Sequence, residues 1–171
     1  GEIVEAKRLL KALLASFPKN KRAQKELLTL NKKTQTNVSA TLAKQEVDYL
    51  LELYQQGQLL EVINQTQVLA EQYSGEFIVW NLMGAAAAQA GQLDRAALAF
   101  QKAINIKPDT AEIYNNMGNV FREQKKLPEA NAAYLKAISM KPNYADAYCN
   151  MGNCLIDQGR LADALKAYSK A

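Results

Sequence analysis

Residues 77–110 read FIVWNLMGAAAAQAGQLDRAALAFQKAINIKPDT, and residues 111–144 read AEIYNNMGNVFREQKKLPEANAAYLKAISMKPNY. The two stretches carry apolar and small residues at the same places, so the pattern recurs with a period of 34 residues. A third copy follows, since 13 of the 27 residues from 111 to 137 are identical to those from 145 to 171. A fixed period of about 20 to 50 residues is typical of an array of stacked units. The sequence therefore predicts tandem repeats.

The recurring residues have the spacing of two helices in each repeat. They lie at positions 4, 7, 8 and 11 of the copy, and then at positions 20, 24 and 27. Separations of three and four residues place side chains on one face of an α-helix. In chain order the residues are Trp80, Met83, Gly84, Ala87, Ala96, Phe100 and Ala103, then Tyr114, Met117, Gly118, Phe121, Ala130, Tyr134 and Ala137, then Tyr148, Met151, Gly152, Leu155, Ala164, Tyr168 and Ala171. We therefore expect an all-α fold of stacked antiparallel helix pairs.

Glycine and proline define how each pair packs and ends. Gly84, Gly118 and Gly152 lack a Cβ, so we expect the two helix backbones of a pair to approach closely there. Pro108 and Pro142 disfavour helical geometry in the residue before them, so they end the second helices.

This pattern resembles the tetratricopeptide repeat (TPR), in which W-x2-L-G-x2-Y is followed by A-x3-F and then by proline. Met83, Met117 and Met151 stand where the family usually has leucine, and Ala87 replaces an aromatic residue. The resemblance implies a right-handed α-solenoid whose concave groove binds a protein or peptide ligand.

The frame divides the chain from residue 43 onward into four units. Residues 77–110 and 111–144 are regular repeats, and residues 145–171 form a repeat truncated in its second helix. Residues 43–76 fit the frame poorly, because Leu50 replaces the packing glycine and Val62 the small alanine. We predict a divergent repeat there, whose bulkier residues hold its helices further apart.

The first 42 residues depart further from the frame. Residues 1–18 match the second half of a repeat, and the polar residues Thr34–Thr41 predict a loop that interrupts the array. The chain begins at a turn and stops inside a helix, so we expect it to be a fragment of a longer protein.

Composition argues against several kinds of site. The sequence has no histidine, and its two cysteines, Cys149 and Cys154, point about 140° apart on one helix. We expect two reduced thiols in packing positions rather than a metal or redox site. Glycine-rich phosphate loops and nucleophile motifs are also lacking. We expect no catalytic residue, no metal and no cofactor.

Charge and hydropathy argue against nucleic acids and membranes. The net charge of +4 comes from residues 1 to 36, where nine Lys or Arg stand against three Glu. The remaining residues hold twelve basic against fourteen acidic side chains, so the repeats themselves are not basic. No run of about 18 apolar residues and no export leader occurs. We expect a cytoplasmic protein that binds neither nucleic acid nor membrane.

The residues left over by packing are the candidates for ligand binding. Positions 2, 5, 6, 9, 12 and 13 lie on the first helix opposite its packing face. In the TPR family these positions line the concave groove. The candidate groove residues are Asn81, Glu112, Asn115, Asn116, Asn119, Arg122, Asn150, Asn153 and Asp157.

The asparagines among these residues have two interpretations. Asparagine is a poor helix former, so several inside helices require an explanation. Their amides could form hydrogen bonds between neighbouring repeats. Alternatively, each amide offers one acceptor and two donors, which match the C=O and N–H groups of an extended peptide.

The second interpretation is similar to the asparagine ladder of O-linked N-acetylglucosamine transferases. In their TPR region an asparagine at position 6 of successive repeats holds the protein substrate. Asn116 and Asn150 match that position, whereas Leu82 and Asp48 do not. The resemblance implies a non-catalytic module that recruits a polypeptide, as in bacterial proteins whose TPR arrays precede a glycosyltransferase domain.

Three other functions can be compared with this one. A clamp for C-terminal carboxylates needs basic residues where Glu112 and Asp146 stand, so we exclude it. An enzyme would need its carboxylates together, but Glu123 and Asp157 lie one repeat apart. Self-assembly through the terminal repeats is the alternative that stays open, because truncated ends expose apolar helix faces.

Overall fold

The computed structural model describes residues 20 to 171, together with residues 6, 8 to 10, 13 and 17. The chain divides into two compact units, Gly1–Asp48 and Tyr49–Ala171. The described residues form helices joined by short connections, with no β-strand among them. This confirms the predicted all-α class.

Eight helices follow one another between residues 20 and 171. They are α1 (Lys21–Gln55), α2 (Leu59–Gln72), α3 (Phe77–Gln89), α4 (Leu93–Ile106), α5 (Ala111–Glu123), α6 (Leu127–Met140), α7 (Ala145–Asp157) and α8 (Leu161–Tyr168). From α3 onward, each pair consists of two helices that pack side by side across a three-residue turn. Such short turns make the two helices antiparallel, and the pairs stack into a helical solenoid.

Helix α1 corrects the prediction for the polar stretch Thr34–Thr41. A loop was expected there, but α1 is continuous from Lys21 to Gln55. The stretch contains neither glycine nor proline, and each of its residues costs at most about 0.7 kcal/mol relative to alanine in a helix. Polarity without a helix breaker is therefore not enough to end the helix. The half repeat predicted for residues 1–18 lies largely outside the described residues.

In each of the three repeats from residue 77 onward, a glycine of the first helix contacts an aromatic ring of the second helix. The three contacts are Gly84 with Phe100, Gly118 with Tyr134 and Gly152 with Tyr168. A Cβ added at Gly118 would lie 2.5 Å from Cε1 of Tyr134, far inside van der Waals contact. Close approach of the backbones was predicted, but the ring of the second helix takes that space. The glycine is needed because the ring leaves no room for a side chain.

The contact between α1 and α2 is built from aliphatic residues instead. Leu50 and Val62, which replace the glycine and the small alanine, are fully buried and belong to one core with Leu53 and Ile63. Thr66 takes the place of the aromatic residue and is also fully buried. Its Oγ1 donates a hydrogen bond to the Val62 carbonyl at 2.7 Å, so the buried hydroxyl is satisfied. Branched side chains thus fill the space that a ring fills in the regular repeats.

The stacking of the pairs gives the array an inner and an outer side. Over residues 77 to 168, all of which the structure describes, Cα–Cα distances of 8 Å or less join α3 to α5 and α5 to α7. None joins α4 to α6 or α6 to α8. Crevices of about 420 Å³ lie between those second helices. The first helices are therefore the closer-packed layer and form the inner side of the curve.

The turns after the first helices use the left-handed backbone conformation. Gly57, Gly91 and Gly159 have φ values of 74°, 74° and 76°, and Lys125 takes the equivalent place with φ of 62°. The left-handed conformation costs a residue with a Cβ about 1–2 kcal/mol, which glycine avoids. One turn of the array is therefore strained.

We expect Lys125→Gly to raise the free energy of unfolding by about 0.5–1 kcal/mol, because the relieved strain exceeds the entropy that glycine loses on folding. Urea denaturation followed by circular dichroism measures the change. Gly159→Ala is the matched control and should lower stability. If Lys125→Gly leaves the midpoint unchanged while Gly159→Ala lowers it, the strain assigned to Lys125 is absent.

Candidate functional site

The predicted groove residues lie on the first helices, α3, α5 and α7, which form the inner side of the array. Asn81 belongs to α3, and Glu112, Asn115, Asn116, Asn119 and Arg122 belong to α5, whereas Asn150, Asn153 and Asp157 belong to α7. They share a layer but differ in what they bind. Some make hydrogen bonds or ion pairs within the protein, and others make no hydrogen bond to a described residue.

Asn115 and Asn150 form a bridge between neighbouring repeats. Nδ2 of Asn150 donates a hydrogen bond to Oδ1 of Asn115 at 3.0 Å, and the Asn115 side chain is buried. A buried amide oxygen without a donor would cost about 1–3 kcal/mol, so this bond holds α5 against α7. At this pair the asparagines have the structural role that the sequence left open.

Asn119 and Asn153 are held by tyrosines of their own repeats. Tyr134 Oη donates to Asn119 Oδ1 at 2.8 Å, and Tyr168 Oη donates to Asn153 Oδ1 at 2.6 Å. Burial raises the pKa of Tyr134 far above its usual range, so this hydroxyl stays protonated and donates. In the first regular repeat, Ala85 and Phe100 occupy the same two positions and have neither amide nor hydroxyl. The sequence signal for this contact is the joint presence of asparagine at position 9 and tyrosine at position 24 of a repeat, which was not used in predicting the site.

Two ion pairs also involve predicted groove residues, one between neighbouring repeats and one within the repeat 111–144. Arg122 Nε lies 3.6 Å from Asp157 Oδ2, and Lys141 Nζ lies 3.5 Å from Glu112 Oε1. All four side chains are partly exposed, so each pair contributes at most about 1 kcal/mol to stability. Their charges are largely balanced within the protein.

Asn116 and Asn81 are the predicted groove asparagines whose side-chain amides make no hydrogen bond to a described residue. They occupy the same repeat positions as Asn150 and Asn115, but the equivalent hydrogen bond between them is not formed. Oδ1 of Asn81 is buried without a partner, and Asn116 is half-buried with no hydrogen bond to any described residue. Buried polar groups are nearly always satisfied, so these two amides require an explanation.

A pocket of about 240 Å³ lies beside Asn116, between α3 and α5. It is lined by Tyr54, Ala85, Ala88, Gln89, Phe100, Asn116, Asn119 and Glu123. Of the predicted groove residues, the pocket brings together Asn116 and Asn119. Tyr54 was not predicted, because it belongs to the divergent repeat, although it stands at position 12 of a frame that begins at Ala43.

The two cysteines have different surroundings. Cys154 is buried, its Sγ donates to the Leu127 carbonyl at 3.4 Å, and burial raises the pKa of its thiol. A buried, protonated thiol is unreactive, which agrees with a packing role. Cys149 is exposed and free. Within the part of the chain that the structure describes, no three or more potential metal ligands cluster together.

None of the described helices is both long enough and apolar enough to cross a membrane.

The repeats are also visible in comparisons with known proteins. A family model described as "TPR repeat" matches residues 84–124 and 118–155, and one described as "Tetratricopeptide repeat" matches residues 145–171. Together they match just over half of the chain. The fold is that of a helical-repeat protein-interaction module. The chain belongs to the tetratricopeptide repeat family, whose members bind protein partners. No curated protein matches the sequence.

Solved structures share this fold at low sequence identity. One crystal structure of MamA protein is 22% identical, with 97% of this chain and 90% of that chain covered and a TM-score of 0.71. MamA from Desulfovibrio magneticus RS-1 is 14% identical, with 96% and 92% covered and a TM-score of 0.72. An O-GlcNAc transferase mutant from Thermobaculum terrenum is 19% identical, with 68% and 22% covered and a TM-score of 0.63. At these identities the likeness concerns the fold.

Proposed function

We propose that this array binds an extended polypeptide along its inner side, with Asn116 and the pocket beside it as the main anchor. The supporting observation is the difference between two equivalent pairs of amides. Asn115 and Asn150 are bonded to each other, whereas Asn81 and Asn116 are not. An amide left open on the closer-packed layer, next to a pocket, is suited to a ligand that supplies both donors and acceptors.

The backbone of an extended polypeptide is such a ligand. The Asn116 amide has one acceptor oxygen and two N–H donors, which match the N–H and C=O groups of a peptide. Asn150 keeps its Oδ1 and a second N–H for the same ligand, because its bond to Asn115 uses one N–H. Glu112, Arg122 and Asp157 would flank the path of the peptide. Two amides that bond only to the peptide backbone would give little selectivity for the side chains of the peptide.

The proposed binding unit consists of the divergent repeat, residues 43–76, and the repeats 77–110, 111–144 and 145–171. The pocket supports this division because its walls come from three of these repeats. Tyr54 comes from the first, Ala85 and Phe100 from the second, and Asn116 from the third. A single repeat would not form the pocket.

We expect Asn116→Ala to weaken peptide binding by about twofold to tenfold, the equivalent of one hydrogen bond of about 0.5–1.5 kcal/mol. Isothermal titration with a peptide selected from a random library on the parent protein measures this affinity. Asn143→Ala, at an exposed position between α6 and α7, is the control and should bind like the parent.

Equal affinity of parent and Asn116→Ala would contradict the anchor role. The titration should also depend far less on salt concentration than binding to nucleic acid would. A steep loss of affinity for nucleic acid with rising salt, together with no peptide binding, would favour the nucleic-acid function that the charge distribution argues against.

We further propose that the array is the recruiting part of a larger cytoplasmic protein, such as a glycosyltransferase, and has no catalytic role itself. The support is the shared fold, since the O-GlcNAc transferase structure contains a similar region that makes up 22% of its chain. The sequence of the native gene product beyond residue 171 tests the proposal. A product without a downstream transferase domain would contradict it.

Self-assembly through the terminal repeats is the second candidate. Leu161 and Leu165 of α8 favour it, with 63% and 70% of their surfaces exposed. Large apolar side chains grouped on one helix are suited to contact with another chain. Sedimentation velocity at high protein concentration tests this candidate, and a pure monomer would contradict it.

A further inference from the structure

The ion pair between Arg122 and Asp157 shows how one repeat can place a cation on the next. Arg122 stands at position 12 of its repeat, and Asp157 stands at position 13 of the following repeat. Their side chains meet on the inner side, with Nε 3.6 Å from Oδ2. Position 12 of one repeat and position 13 of the next are therefore within reach of a charge contact.

One repeat earlier the carboxylate is present and the cation is missing. Glu123 is the residue at position 13, but position 12 of the preceding repeat is Ala88. The Ala88 side chain ends at Cβ, and Glu123 is exposed with no ion-pair partner among the described residues. The pocket of about 240 Å³ lies where the cationic side chain would be, and both residues line it.

The other walls of the pocket are suited to a cation with a long aliphatic stem. Ala85, Ala88 and Phe100 are apolar and can cover the methylene groups of such a side chain. Tyr54 contributes an aromatic ring to the lining, and the face of such a ring attracts ammonium and guanidinium groups. Asn116 supplies an amide oxygen as a further acceptor. The pocket thus combines an unpaired carboxylate, an aromatic ring and an open amide.

We propose that this pocket binds one lysine or arginine side chain of the polypeptide ligand, in the place that Arg122 takes beside Asp157. The inference rests on the proposed function and adds a selective contact to its unselective backbone anchors. An acidic side chain would be repelled by Glu123. An apolar side chain would leave the carboxylate and the amide without partners.

The test uses peptides selected from a random dodecapeptide library on the parent protein, with affinities measured by isothermal titration. Two variants alter the pocket in different ways. Glu123→Gln keeps the shape and removes the charge, whereas Ala88→Arg supplies a cation from the protein itself. Asp109→Asn removes an exposed carboxylate from the connection between α4 and α5 and is the control.

The selected peptides should share a lysine or arginine at one position. Glu123→Gln and Ala88→Arg should each weaken binding by about threefold to tenfold, as expected for a partly exposed ion pair with a cation–π contact. Asp109→Asn should bind like the parent. A peptide whose basic residue is replaced by glutamine should bind equally to the parent and to Glu123→Gln, because the charge contact is then already lost.

The two proposals fail in different ways. If the selected peptides lack a common basic residue, or bind Glu123→Gln as tightly as the parent, the basic-side-chain pocket is wrong and peptide binding stands. If no peptide is selected, the proposed function is wrong, and the inference that rests on it falls too. If Ala88→Arg does not fold, the affinity of Glu123→Gln still tests whether the pocket binds a basic side chain.

Discussion

Gly118→Leu should lower the free energy of unfolding by about 1–3 kcal/mol, because it forces a side chain into a filled space. The new Cβ would lie 2.5 Å from Cε1 of Tyr134, whose ring is completely buried and cannot retreat into solvent. Intrinsic helix propensity predicts the opposite sign, since glycine is about 1 kcal/mol worse than leucine inside a helix. The sign of the change therefore separates packing from propensity.

Urea denaturation of the parent and Gly118→Leu measures this change. Ala132→Leu, at an exposed position of α6, is the control for an added apolar side chain and should change stability little. Leu50→Gly introduces the glycine of the other repeats into the divergent repeat. It should not raise stability, because Leu50 is a fully buried part of the core. A Gly118→Leu protein that unfolds at the same midpoint as the parent would contradict the contact between glycine and ring.

Asn150→Ala should destabilise the array by about 1–3 kcal/mol, because it leaves the buried Oδ1 of Asn115 without a donor. Asn116→Ala is the matched variant, at the same position of the preceding repeat. Asn116 makes no hydrogen bond to a described residue, so its replacement should change stability by less than about 0.5 kcal/mol. Two chemically identical substitutions should therefore have clearly different effects on stability.

Denaturant midpoints of Asn150→Ala, Asn116→Ala, Asn115→Ala and the double variant Asn115→Ala/Asn150→Ala test this difference. The double variant removes the acceptor together with its donor, so it should lose less than the sum of the two single changes. Equal destabilisation by Asn150→Ala and Asn116→Ala would mean that the bridge between α5 and α7 contributes nothing of its own.

The regular repeats could be predicted from the sequence because their period determines their local structure. The first helices begin at Phe77, Ala111 and Ala145, where the 34-residue frame predicts them. The second helices end two residues before Pro108 and Pro142. Helical spacing and proline act over a few residues, so they are visible without knowledge of the neighbours.

The N-terminal region could not be predicted in the same way. Polar composition at Thr34–Thr41 indicated a loop, yet α1 runs through it. Composition says which residues favour solvent, and helix breakers say where a helix must stop. Thr34–Thr41 has a polar composition but contains no glycine or proline that would end the helix.

The roles of the asparagines depend on contacts that the sequence does not contain. Asn81 and Asn116 are the same residue types at the same positions as Asn115 and Asn150, and only the second pair is bonded. The physical difference is the packing of the first helices, because α5 contacts α7 more extensively than α3 contacts α5. The amides of Asn81 and Asn116 are not bonded to each other at the place where the pocket lies between α3 and α5.

The most direct measurement of polypeptide binding on the inner side follows the asparagine side-chain amides by nuclear magnetic resonance. A ¹⁵N-labelled protein is titrated with the selected peptide, and the side-chain N–H signals of Asn116 and Asn143 are compared. We predict that the Asn116 signals shift with the peptide concentration and that those of Asn143 stay fixed. Unchanged Asn116 signals, with shifts confined to the backbone amides of α4 and α6, would place the ligand on the outer side and contradict the account.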